Sequence, residues 1–197
     1  MVLRVQSLTN IKTWETFNDH GHDDDNSLFS NGASRGCMYK SSYLPCNQHF
    51  RSRILDNWSA YNIDTVRVSV YLHGLEKQYV EFNGRGSNYL NWFSRDRIIS
   101  SSWHDLRTEP QNYFSIKGDD ETRWNIGRRF FINRNYGGCP HDRGWLIVLD
   151  EPDVCSWAGV RDYPVILYSK RSTNVYWNSG NDVGRADALI VTVKVRD

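Results

Sequence analysis

The sequence predicts an all-β fold with little helix: an antiparallel β-sandwich, jelly-roll-like, formed by a single β domain over residues 1–197. Three observations carry that expectation. Apolar and polar side chains alternate in two long segments, turn residues punctuate the chain at short intervals, and no segment keeps a helical apolar period for three turns.

In the first alternating segment Val66, Val68, Val70 and Leu72 share one face while Thr65, Arg67, Ser69 and Tyr71 share the other. A turn over residues 73–76 returns the chain as a second strand, 77–82, which ends at Asn83-Gly84, a pair suited to positive φ. The second alternating segment, 188–196, sets Leu189, Val191, Val193 and Val195 against Ile190, Thr192, Lys194 and Arg196, and predicts a closing strand with one wet face. Clusters of β-branched and aromatic residues predict further short strands at 113–117, 128–133, 145–149 and 165–169. Residues 2–8 alternate too softly for a buried face to be assigned. The best helical candidate, 90–99, is short and carries Asn91, Ser94 and Asp96.

Residues 19–50 differ in character. They are polar and rich in Gly and Ser, with scattered apolar anchors at Leu28, Phe29, Tyr39 and Tyr43, and are expected to form a long disulfide-pinned loop region. The order of aromatic, Asn, Arg, Asn and Tyr over 82–89 is echoed at 131–138, without a fixed register or repeating flanks; coincidence accounts for it.

The chain is 39% hydrophobic and 14% aromatic, and its eight Trp against two Met describe a core of rigid rings. Lys and Arg number 24 against 23 Asp and Glu, so no long-range field draws the chain to nucleic acid. No apolar stretch is long enough for a membrane-spanning helix; Thr192 and Lys194 interrupt the nearest approach, so no membrane insertion is expected and the chain should be soluble.

Cys37, Cys46, Cys139 and Cys155 lack the spacing of zinc or redox sites and are expected to form disulfides. Pairing neighbours gives Cys37–Cys46 and Cys139–Cys155, although spacing leaves the other two connectivities open. Disulfides predict a secreted, extracellular protein, and Asn57-Trp58-Ser59 is a glycosylation sequon that agrees with it. Residues 1–8 are too short for an apolar leader core, so the expectation is that any leader has been removed and Met1 supplied in its place.

Three groups of loop residues combine flat rings with fixed hydrogen-bonding side chains, the combination that reads sugar faces and hydroxyls: Asn83, Arg85, Asn88, Asn91 and Trp92; Asn133, Arg134, Asn135 and Tyr136; and Trp177, Asn178 and Asn181. A cation site is suggested by residues 20–26, where Asp23, Asp25 and Asn26 offer oxygens to calcium, though without EF-hand spacing. Residues 119–121, Asp-Asp-Glu, are a second acidic cluster. No hydrolase motif is present, and His104-Asp105 and His141-Asp142 are the candidates for a site assembled from loops. The function expected is a lectin-like module for a glycan or glycoprotein ligand, assisted by calcium. Its rivals are an extracellular matrix or mineral-associated structural protein and an enzyme with a His/Asp site.

Overall fold

The computed structural model describes residues 1–25, 35–40, 45–119, 126–159 and 162–196. It is an all-β sandwich of two antiparallel sheets. Sheet A orders β2 (Phe50–Arg51), β1 (Leu3–Gln6), β12 (Ala188–Val195), β3 (Ile63–Leu72), β4 (Leu75–Asn83) and β5 (Ile98–Ser101). Sheet B orders β11 (Val183–Ala186), β9 (Val165–Ser169), β8 (Arg143–Leu149), β7 (Arg128–Asn135) and β6 (Tyr113–Ser115), with β10 (Val175–Tyr176) beside the start of β8. The chain runs as two meanders, β3 to β5 and then β6 to β9. Asp187 is the corner where β11 leaves sheet B and β12 enters sheet A: its N–H donates to Tyr71 O at 2.8 Å, and its carboxylate accepts from the His73 N–H at 2.6 Å.

Val66, Val68, Val70, Leu189 and Val191 are buried as the sequence predicts, but Ile190, expected on a wet face, is buried too, and Val195 at the strand end is exposed. Val66, Val68 and Val70 pair with Val193, Val191 and Leu189 on one side and with Phe82, Val80 and Gln78 on the other, forming an inward row. The β3–β4 turn has two residues, His73 at φ 53° and Gly74 at φ 73°, because a tight hairpin needs positive φ at both central positions. Gln78 reaches across the sandwich and donates to the carbonyls of Ser169 and Arg171, both at 3.2 Å.

Sheet B differs from sheet A in having two apolar faces. Phe130, Ile132, Leu146, Val148, Ile166 and Tyr168 belong to the core shared with sheet A, whereas Phe131, Ile147, Leu149, Val165 and Leu167 belong to a second core behind it. β7 carries a bulge, with Phe130 at φ 42° and the register shifting between Arg129 and Ile132; beyond it ordinary strand alternation sends Phe130 and Ile132 to the shared core and Phe131 to the second one. The second core is roofed by loops carrying Cys155, Ala158, Tyr163 and Trp177, with Trp157 packed at its margin.

The disulfides are Cys37–Cys46 and Cys139–Cys155, the neighbour pairing. They indicate an oxidising compartment. The second one ties the β7–β8 loop, which carries Cys139, to the roofing loop that carries Cys155. Beneath it lies the buried Arg128, whose Nε meets Asp153 at 2.7 Å, whose Nη1 lies 3.6 Å from Asp142, and whose guanidinium is 4.7 Å from the Tyr136 ring centroid and 5.0 Å from that of Trp157. Among the described residues no helix is long and apolar enough to cross a membrane.

Closing a loop of this length constrains the unfolded chain by about 3 kcal/mol. The double variant Cys139→Ser/Cys155→Ser is therefore expected to lose roughly that much stability in urea, with Trp157 and Trp177 emission moving to the red. A variant as stable as the parent would show that the bridge does not hold the roof in place.

Candidate functional site

The expected strands are all present, but the one α-helix among the described residues is not where the sequence placed its helical candidate. Residues 90–99 hold only a 3₁₀ turn, Arg95–Arg97, before β5, whereas α1 spans Thr13–Phe17. Five residues are too few to show a period, and Lys12 at the N-cap makes no side-chain capping bond. The cap comes from the far end of β8. The buried carboxylate of Asp150 accepts from the N–H groups of Thr13 at 2.8 Å and Trp14 at 3.0 Å, satisfying two donors that a helix start leaves open. Burial raises the pKa of Asp150, while the Thr13 and Trp14 donors and Arg129 favour its ionised form. Helix α1 thus sits against β7: Phe17 meets Phe130 edge-on at 6.0 Å, and the Arg129 guanidinium lies 5.8 Å from the Trp14 ring centroid.

The acidic loop follows the helix and is bound to β2 through Arg51, which is fully buried. Arg51 donates to both oxygens of Asp56, at 2.8 and 2.6 Å, and to the carbonyls of Phe17 and His22. That bidentate pairing holds the Asp56 carboxyl well below the usual range, helped by the His20 ring and the Gly21 N–H. Asp24 exchanges hydrogen bonds with the backbone of Arg51 and lies 2.9 Å from His22 Nε2. Asp25 accepts from Ser52 Oγ at 2.6 Å and from the Arg53 N–H at 3.0 Å, and Asp23 accepts from the Asp25 N–H at 2.9 Å. The carboxylates expected to take calcium therefore order their own loop. Asn26 lies outside the described residues, and among the described residues no group of three His, Cys, Asp or Glu side chains converges as a metal site would.

His49 joins this assembly from the other side. Its Nδ1 accepts from the Gln6 N–H at 3.1 Å and its Nε2 donates to the Ile11 carbonyl at 2.9 Å, so the neutral ring ties β1, the approach to α1 and the approach to β2. Burial holds its pKa down to about 4.

Helix α1, the acidic loop and the His49 segment enclose a cavity of about 670 Å³, lined among others by Trp14, Asn18, Asp19, His22, Gln48 and His49. Trp14 is half-buried and backed by Phe17, with ring centroids 5.8 Å apart and planes 28° apart. Its indole N–H bonds to no protein atom among the described residues, and neither do the side-chain amides of Asn18 and Gln48. Sequence reasoning passed over these three because they are spread over 35 residues with no pattern linking them.

The loop residues singled out from the sequence divide differently. Trp92 and Trp177 are core rings and not stacking platforms: both are buried, Trp92 lies parallel to Trp58, and their N–H groups donate to Tyr89 O at 2.9 Å and Asn133 Oδ1 at 3.0 Å. Asn133 is buried as the partner of Trp177. Asn88 and Asn91 cap each other's backbone, Asn83 accepts from the Arg85 N–H, and Arg85 pairs with Asp64 at 2.6 Å, so the 83–92 group is spent on its own turn. Tyr136 covers Arg128, and burial raises its pKa.

Asn135 and Asn178 are exposed at the same end of sheet B, where Asn135 pairs with Arg143 and Arg143 with Tyr176. Neither His-Asp pair forms a dyad. Asp105 turns inward to accept from Trp145 Nε1 at 2.6 Å and from Asn174, and Asp142 faces Arg128. Asp119 bridges to Arg128 through its backbone; Asp120 and Glu121 lie outside the described residues. Compared with models of protein families, with curated proteins and with solved structures, the chain matches none.

The ordinary histidine pKa of 6.5 falls to about 4 in the folded protein, so between those values the unfolded chain holds more protons. Stability is therefore expected to fall as pH drops from 6.5 towards 4, by about 3 kcal/mol through this group. Urea titrations of the parent and of His49→Gln, which does not titrate, measure it: the variant should lose that much less over the window. Parallel pH profiles would show that His49 is not held neutral.

Proposed function

We propose that the chain is a secreted glycan-binding module whose ligand occupies the cavity beside α1. What supports this is one observation: a cavity of about 670 Å³ that combines a half-buried indole with donors and acceptors that the fold leaves uncommitted. A pyranose has a flat apolar face and a rim of hydroxyls. Its face suits the Trp14 ring, and its hydroxyls suit the indole N–H and the amides of Asn18 and Gln48. The size suits one to three sugar rings. The disulfides fit export, and the exposed Asn57 of the sequon fits a glycoprotein.

The His22–Asp24 pair in the same cavity favours a second reading, an enzyme. Binding is the better account, because the groups the fold leaves uncommitted in the cavity are an indole and two amides, which bind and do not transfer protons, while Nε2 of His22 is engaged by Asp24 at 2.9 Å. Calcium is not required by the binding account, since the candidate carboxylates already have partners in the loop.

A glycan array probed with and without a chelator tests the proposal. Selective retention of a set of glycans is expected, unchanged by chelator, and weakened tenfold or more, about 1.4 kcal/mol, by Trp14→Ala and by Asn18→Ala. Calcium uptake without sugar selectivity would favour the structural-protein rival, and retention indifferent to both substitutions would remove the cavity from the account.

A further inference from the structure

Arg51, Arg67, Arg85, Arg134 and Arg171 each reach a carboxylate. Arg4 and Arg97 are held by neutral oxygens that engage both of their Nη groups. Arg143 is held still and left charged. Its Nε donates to the Asn174 side-chain carbonyl at 2.7 Å, and Asn174 is itself fixed by Asp105, which accepts from the Asn174 N–H at 2.9 Å and from its Nδ2 at 2.5 Å. A neutral amide thus aims the guanidinium without cancelling its charge.

The neighbouring carboxylates are engaged elsewhere. Asp105 is occupied by Trp145 and Asn174, and the adjacent Asp142 is 1% exposed and faces Arg128 on the opposite side. Beyond Nε, the polar contact of Arg143 among the described residues is with the Tyr176 hydroxyl, at 3.5 Å from Nη1, and its carbon centre lies 4.7 Å from the centroid of the Tyr176 ring. Tyr176 is 41% exposed. Nη2 bonds to no protein atom among the described residues, so the two Nη groups present the outer edge of the fork. Around them stand the exposed Asn135, paired with Arg143 across β7 and β8, and the exposed Asn178 and His141.

We infer that Arg143 and Tyr176 form a second binding site, separate from the cavity beside α1, for a saccharide that carries a carboxylate. The fork meets two carboxylate oxygens with two parallel N–H donors, a match that a lysine point charge does not make. The exposed face of Tyr176 supplies the flat apolar surface that a sugar ring covers, and the guanidinium beside it keeps the ring from rotating away. Asn135 and Asn178 donate their Nδ2 groups to the carbonyls of His141 and Pro140, at 3.4 and 3.3 Å, which orients their side-chain oxygens as acceptors at this end of the sheet. The site uses none of the residues of the cavity.

The test is a titration of isotope-labelled protein followed by NMR, with 3′-sialyllactose and a glucuronate-containing tetrasaccharide as two carboxylate sources, lactose as the neutral control and sodium sulfate as the bare anion. The expected result is saturable shifts at Asn135, Arg143 and Tyr176 with at least one carboxylate sugar, and none of comparable size with lactose or sulfate. Binding should weaken at high salt, fall at least tenfold in Arg143→Gln and in Tyr176→Ala, and fall less in Arg143→Lys. Trp14→Ala should leave it intact, which separates this site from the cavity, and unchanged melting of the Arg143 variants shows that they fold. Equal response to acidic sugars and lactose, equal response to sulfate, no response to either acidic sugar, or undiminished binding by Arg143→Gln would each overturn the assignment.

Discussion

Sheet B is apolar on both faces, and the rest of the molecule is arranged around that constraint. A sheet buried on one side can leave its other side to water. Here β7, β8 and β9 send Ile132, Leu146, Val148 and Ile166 towards sheet A and Phe131, Ile147, Leu149, Val165 and Leu167 away from it. The outward set needs a second cover, and no third sheet exists among the described residues to give it. Loops do so instead, held down by Cys139–Cys155 and by an internal charge cluster in which Arg128 holds Asp153 and faces Asp142. Burial pushes the Asp142 carboxyl upward while Arg128 opposes that shift. Removing one member of such a cluster leaves the others without compensation.

The same strands position both proposed binding surfaces. At the end of β8, Asp150 caps α1 and with it fixes Trp14 on the wall of the cavity. The start of β8 carries Arg143, and the strand beside it carries Tyr176. The cavity and the arginine site are thus joined by one strand buried on both faces, so neither needs a mobile lid to be formed. The acidic loop, which resembles a ligand site in sequence, is a brace: Asp24 and Asp25 hold the backbone of Arg51 and Arg53 and the hydroxyl of Ser52, and Asp24 also lines the cavity.

Much of the architecture was legible in the sequence because alternation reports directly on which side chains share a face. The segments around Val66 to Val70 and Leu189 to Val193 became the central strands of sheet A with the expected valines inside. The neighbour pairing of cysteines was legible from their short separations. Strand order was not, since two meanders closed by β12 leave no trace in the pattern of any one segment. Helix α1 was invisible because its cap lies 136 residues away in Asp150. The loop groups around Trp92 and Trp177 failed as ligand sites for a related reason. A Trp beside Asn reads the same whether it stacks on a sugar or lies in a core with the amide as its partner, and only the partners separate the two cases. Arg143 and Trp14 drew no notice because what distinguishes them is the bonds they lack.

Amide hydrogen exchange followed by mass spectrometry tests the two-faced burial of sheet B most directly. If both faces are covered, the amides of β7, β8 and β9 should exchange as slowly as those of β3 and β12 at the centre of sheet A. Exchange in β7, β8 and β9 that is orders of magnitude faster than in β3 and β12 would contradict the second core, and with it the shared support of both binding surfaces.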